Sequence, residues 1–287
     1  MEPVRTSARC SKPWRPTGRP FLLVASLLGT SLQCAGAPFD IAGTLLETRY
    51  NAAETASSGF VLDSEQGPLR GAALRLGAQG YGLAAQTEFG RQSGALHYEG
   101  RTQLGVPLQT QTDLALNETR VLAGPAGSLD VLGAQLRVQG GVTLREIRRD
   151  ILATLLSSRA TETLRNRTWT GRLAWLQPLA EQPAVALEAS VQIEIPWHQD
   201  LTVNTYGALD PFVLAPASRP GWSADLRPTW TPAPGWRAWF EFDYAALRYG
   251  SGPAKPVFHD GQVAGIASYP GSLQQLRSIG VGTAWSF

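Results

Sequence analysis

Three histidines are the residues of this chain best suited to proton transfer, and their neighbours decide what each could do. His97 stands two and four residues before Glu99 and Arg101. On a β-strand that spacing sends all three side chains to one face, where His97 and Glu99 could form an acid–base pair. The plainer reading is a hydrogen-bonded lining of a narrow β-barrel interior, and it is the one adopted. His259-Asp260-Gly261 lies in a loop-like segment. A hydrolase there would need a matching carboxylate pair that the sequence does not offer, and an Asp-Gly turn explains the tripeptide. His198 follows Trp197 at the end of the most regular strand pattern, a place for amphipathic anchors at a membrane interface. Scattered histidines do not make a metal site, and neither a phosphate loop nor a dinucleotide fingerprint is present. Both cysteines, Cys10 and Cys34, fall in the N-terminal segment, which leaves the remainder without a disulfide or a thiol nucleophile. The expectation is a protein without catalysis, cofactor or metal. A barrel enzyme hydrolysing lipid or peptide through His97 or His259 is the rival.

The larger constellation is charge on alternate strand positions. His97, Glu99, Arg101, Asp113, Arg137, Arg145, Arg172, Glu188, Glu194, Arg237, Glu241 and Asp243 each sit opposite an apolar face. Glu47, Arg49, Arg75, Glu88, Asp225 and Arg227 extend the set. With apolar residues toward lipid, these would line a lumen, where buried charges must be paired or hydrated. A mixed-sign lining can lock a narrow barrel shut or make a weakly selective pore.

The elements that must carry these residues alternate with period two. In 183–197, Val185, Leu187, Ala189, Val191, Ile193, Ile195 and Trp197 share one face, and Glu188, Ser190, Gln192 and Glu194 the other. Segments 131–149, 93–104 and 235–249 repeat the pattern. These runs are longer than the ~5–6 residues usual in sandwiches and suit a membrane strand of about 9–11. Weaker candidates lie near 39–50, 57–64, 67–77, 80–90, 110–122, 163–177, 219–231 and 275–287. Gly/Pro clusters at 77–80, 91–94, 124–127 and 231–235 read as turns. Longer connections fall at 150–162, 198–218 and 250–274. Residues 145–156 are compatible with a short amphipathic helix, but the alternation runs into them uncapped, so they read as a protruding strand and a loop. The fold class is all-β: an antiparallel transmembrane β-barrel of about twelve strands, or ten if weak candidates merge. Trp169, Trp175, Val191, Ile193, Phe240 and Phe242 are expected to face lipid. A soluble sandwich that binds a ligand in the periplasm is the alternative fold, since alternation alone does not say which face is outside.

Composition agrees with a barrel. Nine tryptophans and a mean hydropathy of only −0.11 fit diluted lipid-facing residues with aromatic girdles. Residues 1–37 carry Arg5, Arg9, Lys12, Arg15 and Arg19, then an apolar run over 21–28, then small residues to Ala37. That is the pattern of a cleaved secretory signal peptide. Losing it removes five basic residues and one acid and shifts the net charge from +2 to about −2, which does not suggest nucleic acid. The domain is then 38–287.

The last ten residues, Ser278-Ile-Gly-Val-Gly-Thr-Ala-Trp-Ser-Phe287, place Ile279, Val281, Trp285 and Phe287 on one face. This resembles the C-terminal signature of bacterial outer-membrane β-barrel proteins. The resemblance implies a location in the outer membrane, partners in its lipid and in the barrel-assembly machinery, and assembly or lipid-facing roles for Val281, Trp285 and Phe287.

Overall fold

The structure, a computed structural model, describes residues 38–287 except 57, 102–105, 128, 132, 156 and 182–183. The expected signal peptide, with Cys10 and Cys34, lies outside the described residues, as does Leu104. Ten long antiparallel strands close into a barrel. They are β1 (Phe39–Thr55), β2 (Val61–Gly80), β3 (Leu83–Arg101), β4 (Pro107–Pro125), β5 (Ala134–Ile151), β6 (Ala160–Glu181), β7 (Ala184–Asn204), β8 (Gly221–Ala233), β9 (Trp236–Gly250) and β10 (Gly271–Ser286). Each pairs with its sequence neighbour, and β10 closes on β1 in unbroken register from Asp40–Ser286 to Thr55–Gly271. Closure leaves no barrel edge, which excludes the sandwich.

Ten strands, not twelve, follow from two merged pairs. Residues 61–64 and 67–77 of two expected segments are one strand, β2, and residues 83–90 and 93–101 of two others fall in one strand, β3. The Arg91–Gly94 cluster is not a turn. Gly94 faces inward, where a Cβ would stand 2.1 Å from the Pro68 carbonyl oxygen. Glycine is there for close approach of two backbones.

The ends of the barrel differ. At the end holding Phe39 and Phe287, residues 81–82 and 234–235 are tight links, and the short strand Leu129–Val131 pairs with the start of β5. The other end holds Thr55, Ile151, Asn204 and Gly250, and the described connections there include 205–220 and 251–270. The region read as helix or strand is strand to Ile151 and then loop. The last connection carries a separate hairpin, Lys255–His259 with Gln262–Ala267. Long connections mark the extracellular end of such barrels and short ones the periplasmic end.

The wall is organised in two halves. In the periplasmic half the outward residues are apolar: Leu45, Leu74, Trp169, Leu173, Val191, Ile193, Trp230, Phe240, Phe242, Ile279 and Val281 are all exposed. Trp175 shares the outward register on β6, and Trp285 and Phe287 are exposed at the lower rim. In the extracellular half the outward residues turn polar: Arg49, Arg70, Arg91, Arg165, Arg248 and Arg277 are exposed. The interior changes in the opposite sense. Tyr50, Leu69, Leu96, Leu114, Ile147, Leu164, Leu201 and Leu276 form an apolar core inside the extracellular half. The periplasmic half is therefore a membrane protein with a polar inside, and the extracellular half is packed like a water-soluble one.

Candidate functional site

The barrel interior is the site that the topology builds. Its charged layer sits within the lipid-belt half. Arg75 on β2 donates to Glu88 on β3 at 2.8 Å, and Arg120 on β4 meets Glu118 at 2.6 Å. Arg145 on β5 grips Glu194 on β7 with two bonds of 2.9 and 3.0 Å and also donates to Glu118 at 2.7 Å. Along β6 to β9, Arg172 donates to Ser190 at 2.9 Å and meets Glu188 at 3.2 Å, and Arg227 meets Glu241 at 2.9 Å. Asp243 faces a cavity of about 100 Å³ that Glu118, Arg145, Glu194, Asp225 and Arg227 also line. That volume holds about three waters. Gln92 Oε1, Arg120 Nε, Asp225 Oδ2 and Arg227 Nη1 are buried there or nearby without a hydrogen-bond partner among the described residues, so hydration is what the cavity chemistry suits.

A second cluster crosses the lumen in the extracellular half. Arg149 on β5 donates to Glu54 on β1 at 2.9 Å, reaches Glu65 on β2 at 3.4 Å and contacts Glu162 on β6. Strands β1 and β5 stand four apart around a ring of ten, so this side chain ties nearly opposite walls. Thr112 adds a bond of 2.9 Å to Glu65. Asp63 accepts from the Tyr98 hydroxyl at 3.3 Å. Burial, and next the charge of Glu54, push the Asp63 carboxyl up to about 8. Outside the wall, a hydrogen bond from Arg159 holds Asp150 below its ordinary value.

Arg145, Arg172, Glu188, Glu194, Glu241 and Asp243 lie on the inward face. Arg137 and Arg237 share the inward register but are exposed, opposite Ala174 and Ala284 at the short-turn end. Four expected lumen residues are elsewhere. His97, Glu99, Arg101 and Asp113 point outward from the extracellular half, as do Glu47 and Arg49. His97 and Glu99 do meet at 3.1 Å, but their side chains are 48% and 53% exposed. The reason is the change of faces along the wall: above the lipid belt the apolar residues Leu96 and Leu114 turn inside, and their polar neighbours turn out. His198 is also outward, beside the extra residue Trp197 of a bulge in β7. Inward positions run Ser190, Gln192, Glu194 before that bulge and Gln199, Leu201, Val203 after it. His259 is at a hairpin tip 3.7 Å from Asp260. The three histidines thus occupy three separate places.

Sequence reasoning missed Glu54, Asp63, Glu65, Glu118, Arg120, Arg149 and Glu162. One signal was available: Glu118 and Arg120 share parity with Leu114, Leu116 and Leu122, which marks a face that changes character along its length.

No protein-family model matches the chain, and no curated protein sequence matches it. Solved structures do. The outer membrane protease OmpT from Escherichia coli aligns over 88% of this chain and 96% of its own, at 10% identity and a TM-score of 0.61. The translocator domain of the autotransporter NalP from Neisseria meningitidis aligns over 92% of this chain and 96% of its own, at 13% identity and a TM-score of 0.45. At such identities the likeness concerns fold alone. The chain has the architecture of an outer-membrane β-barrel.

Proposed function

We propose that this chain is a sealed outer-membrane barrel, exported by a cleaved segment 1–37, which passes no solute and works without catalysis through its extracellular wall and loops. One observation carries the reading: the extracellular half of the lumen is filled by the apolar core around Tyr50, Leu69, Leu96 and Leu201. A pore needs a continuous wet path, and apolar side chains packed across the lumen oppose one. The Arg149 bridge reinforces the closure. Among the described residues His97, His198 and His259 each face a carboxylate and none is hydrogen-bonded to a serine or threonine hydroxyl, which favours the non-catalytic reading. Planar-bilayer recording tests it. Purified protein should insert without steady conductance steps. Reproducible ohmic steps from protein that shows the compact, unboiled gel band would overturn it. N-terminal sequencing of the exported protein tests cleavage, with a start at or near residue 38 expected.

A further inference from the structure

The outer wall at the β9–β10–β1–β2 seam combines features that point to one ligand chemistry. Three rows of residues cross this seam. The lowest is Phe240–Val281–Leu45, the next Phe242–Ile279–Glu47–Arg70, and the highest Tyr244–Arg277–Arg49. The lower two rows wall a groove of about 450 Å³ whose floor includes Gly71 and Gly280. The groove opens on the lipid side of the barrel, so an apolar chain is its natural filling. The highest row sits where the lipid belt gives way to the polar wall.

Arg49 and Arg277 are direct partners across the β1–β10 pair, and both are exposed. Like charges directly opposite on one face destabilise a sheet. Glu47 is the acid in these rows, and it pairs with Arg70 at 3.6 Å. Among the described residues no carboxylate pairs with Arg49 or Arg277. Two guanidinium groups side by side at the headgroup level demand an anion with several oxygens.

We infer that this seam binds a phosphorylated, acylated lipid of the outer leaflet, its phosphate between Arg49 and Arg277 and an acyl chain in the groove beneath. The apolar groove and the unpaired cations are contiguous, and their order along the membrane normal matches the order of chain and headgroup in a lipid. Free phosphate would use the arginines and leave the groove unexplained.

The test adds diphosphoryl lipid A to the full protein in detergent micelles and reads the temperature at which the compact gel band is lost. Lipid A should raise that temperature. The same lipid with its phosphates removed, or inorganic phosphate alone, should not. R49Q/R277Q should raise the half-saturating lipid A fraction by about tenfold or more, while R148Q, on the outer face of β5, should leave it unchanged. Phe242→Ala should weaken binding by removing apolar surface from the groove wall. An equal shift from dephosphorylated lipid would overturn the inference, as would a full response in R49Q/R277Q or a shift produced by inorganic phosphate alone. The comparison of lipids on the unaltered protein decides the matter even where a variant fails to fold, and the result is independent of conductance.

Discussion

Replacing Arg145 with methionine should be among the most damaging single changes to this barrel. The side chain is 5% exposed and its main partner, Glu194, 3%. The change removes the two-bond grip on Glu194 and one bond to Glu118 while keeping an unbranched side chain of similar reach. Glu118 keeps Arg120 at 2.6 Å, so its charge stays compensated. Glu194 keeps only the Gln192 amide at 3.0 Å. Leaving one buried charge without its partner costs about 3–5 kcal/mol. Removing both charges together costs far less, so R145M/E194Q should recover at least about 2 kcal/mol of that loss. Urea titration in lipid vesicles, followed by tryptophan fluorescence, measures this: the midpoint should fall sharply in R145M and rebound in the double variant, with the slope unchanged. A loss below about 1 kcal/mol in R145M would refute the reasoning, because it would mean that water screens the pair as it screens a surface ion pair. The lumen would then be wet at this level.

Three further outcomes follow from the same geometry. Asp63, held at about 8 in the folded barrel, lies above the ~3.9 of an unfolded chain; its neutral form therefore adds stability that is complete below pH ~4 and is lost as pH rises toward 8. Melting temperature should fall between pH 5 and 9, and Asp63→Asn should flatten that fall. Gly94→Ala should cost about 1–3 kcal/mol by overpacking against the Pro68 carbonyl, while Gly90→Ala, with nothing within 4 Å of its new Cβ, should be tolerated in the same urea assay. Asp210 accepts the Asp260 and Gly261 amides at 3.2 and 3.0 Å; Asp210→Ala should speed proteolytic nicking between 255 and 267 without moving the unfolding midpoint of the barrel.

Much of the wall was legible in the sequence because a strand repeats every two residues. The outward positions of Val191, Ile193, Phe240 and Phe242 and the inward ones of Glu188 and Glu194 lie in runs where a single face stays apolar. His97, Glu99, Arg101 and Asp113 were misplaced because parity reports which residues share a face and not which side that face takes. The strand count was overestimated because glycine marks both turns and close backbone approach; Gly94 serves the second purpose. The Arg149 cluster was beyond sequence reading. It joins residues separated by up to 95 positions, and only closure of β10 on β1 brings their strands around one lumen.

The exchange of faces along the wall also explains why the two interior clusters differ in kind. Within the lipid belt the outward surface is mostly apolar, so most charge on the wall is driven inside, where arginines and carboxylates pair across neighbouring strands and compensate one another. Above the belt water accepts charge on the outside, and polar residues are free to leave the interior. A buried cluster that persists there is retained against that option. Arg149 is surrounded by Glu54, Glu65 and Glu162, with Asp63 close by, an excess of acid over base that water outside could have accommodated. Its position inside the apolar core, linking β1, β2, β5 and β6, is that of a clamp: it fixes the register of opposite walls in the half of the barrel that no bilayer supports.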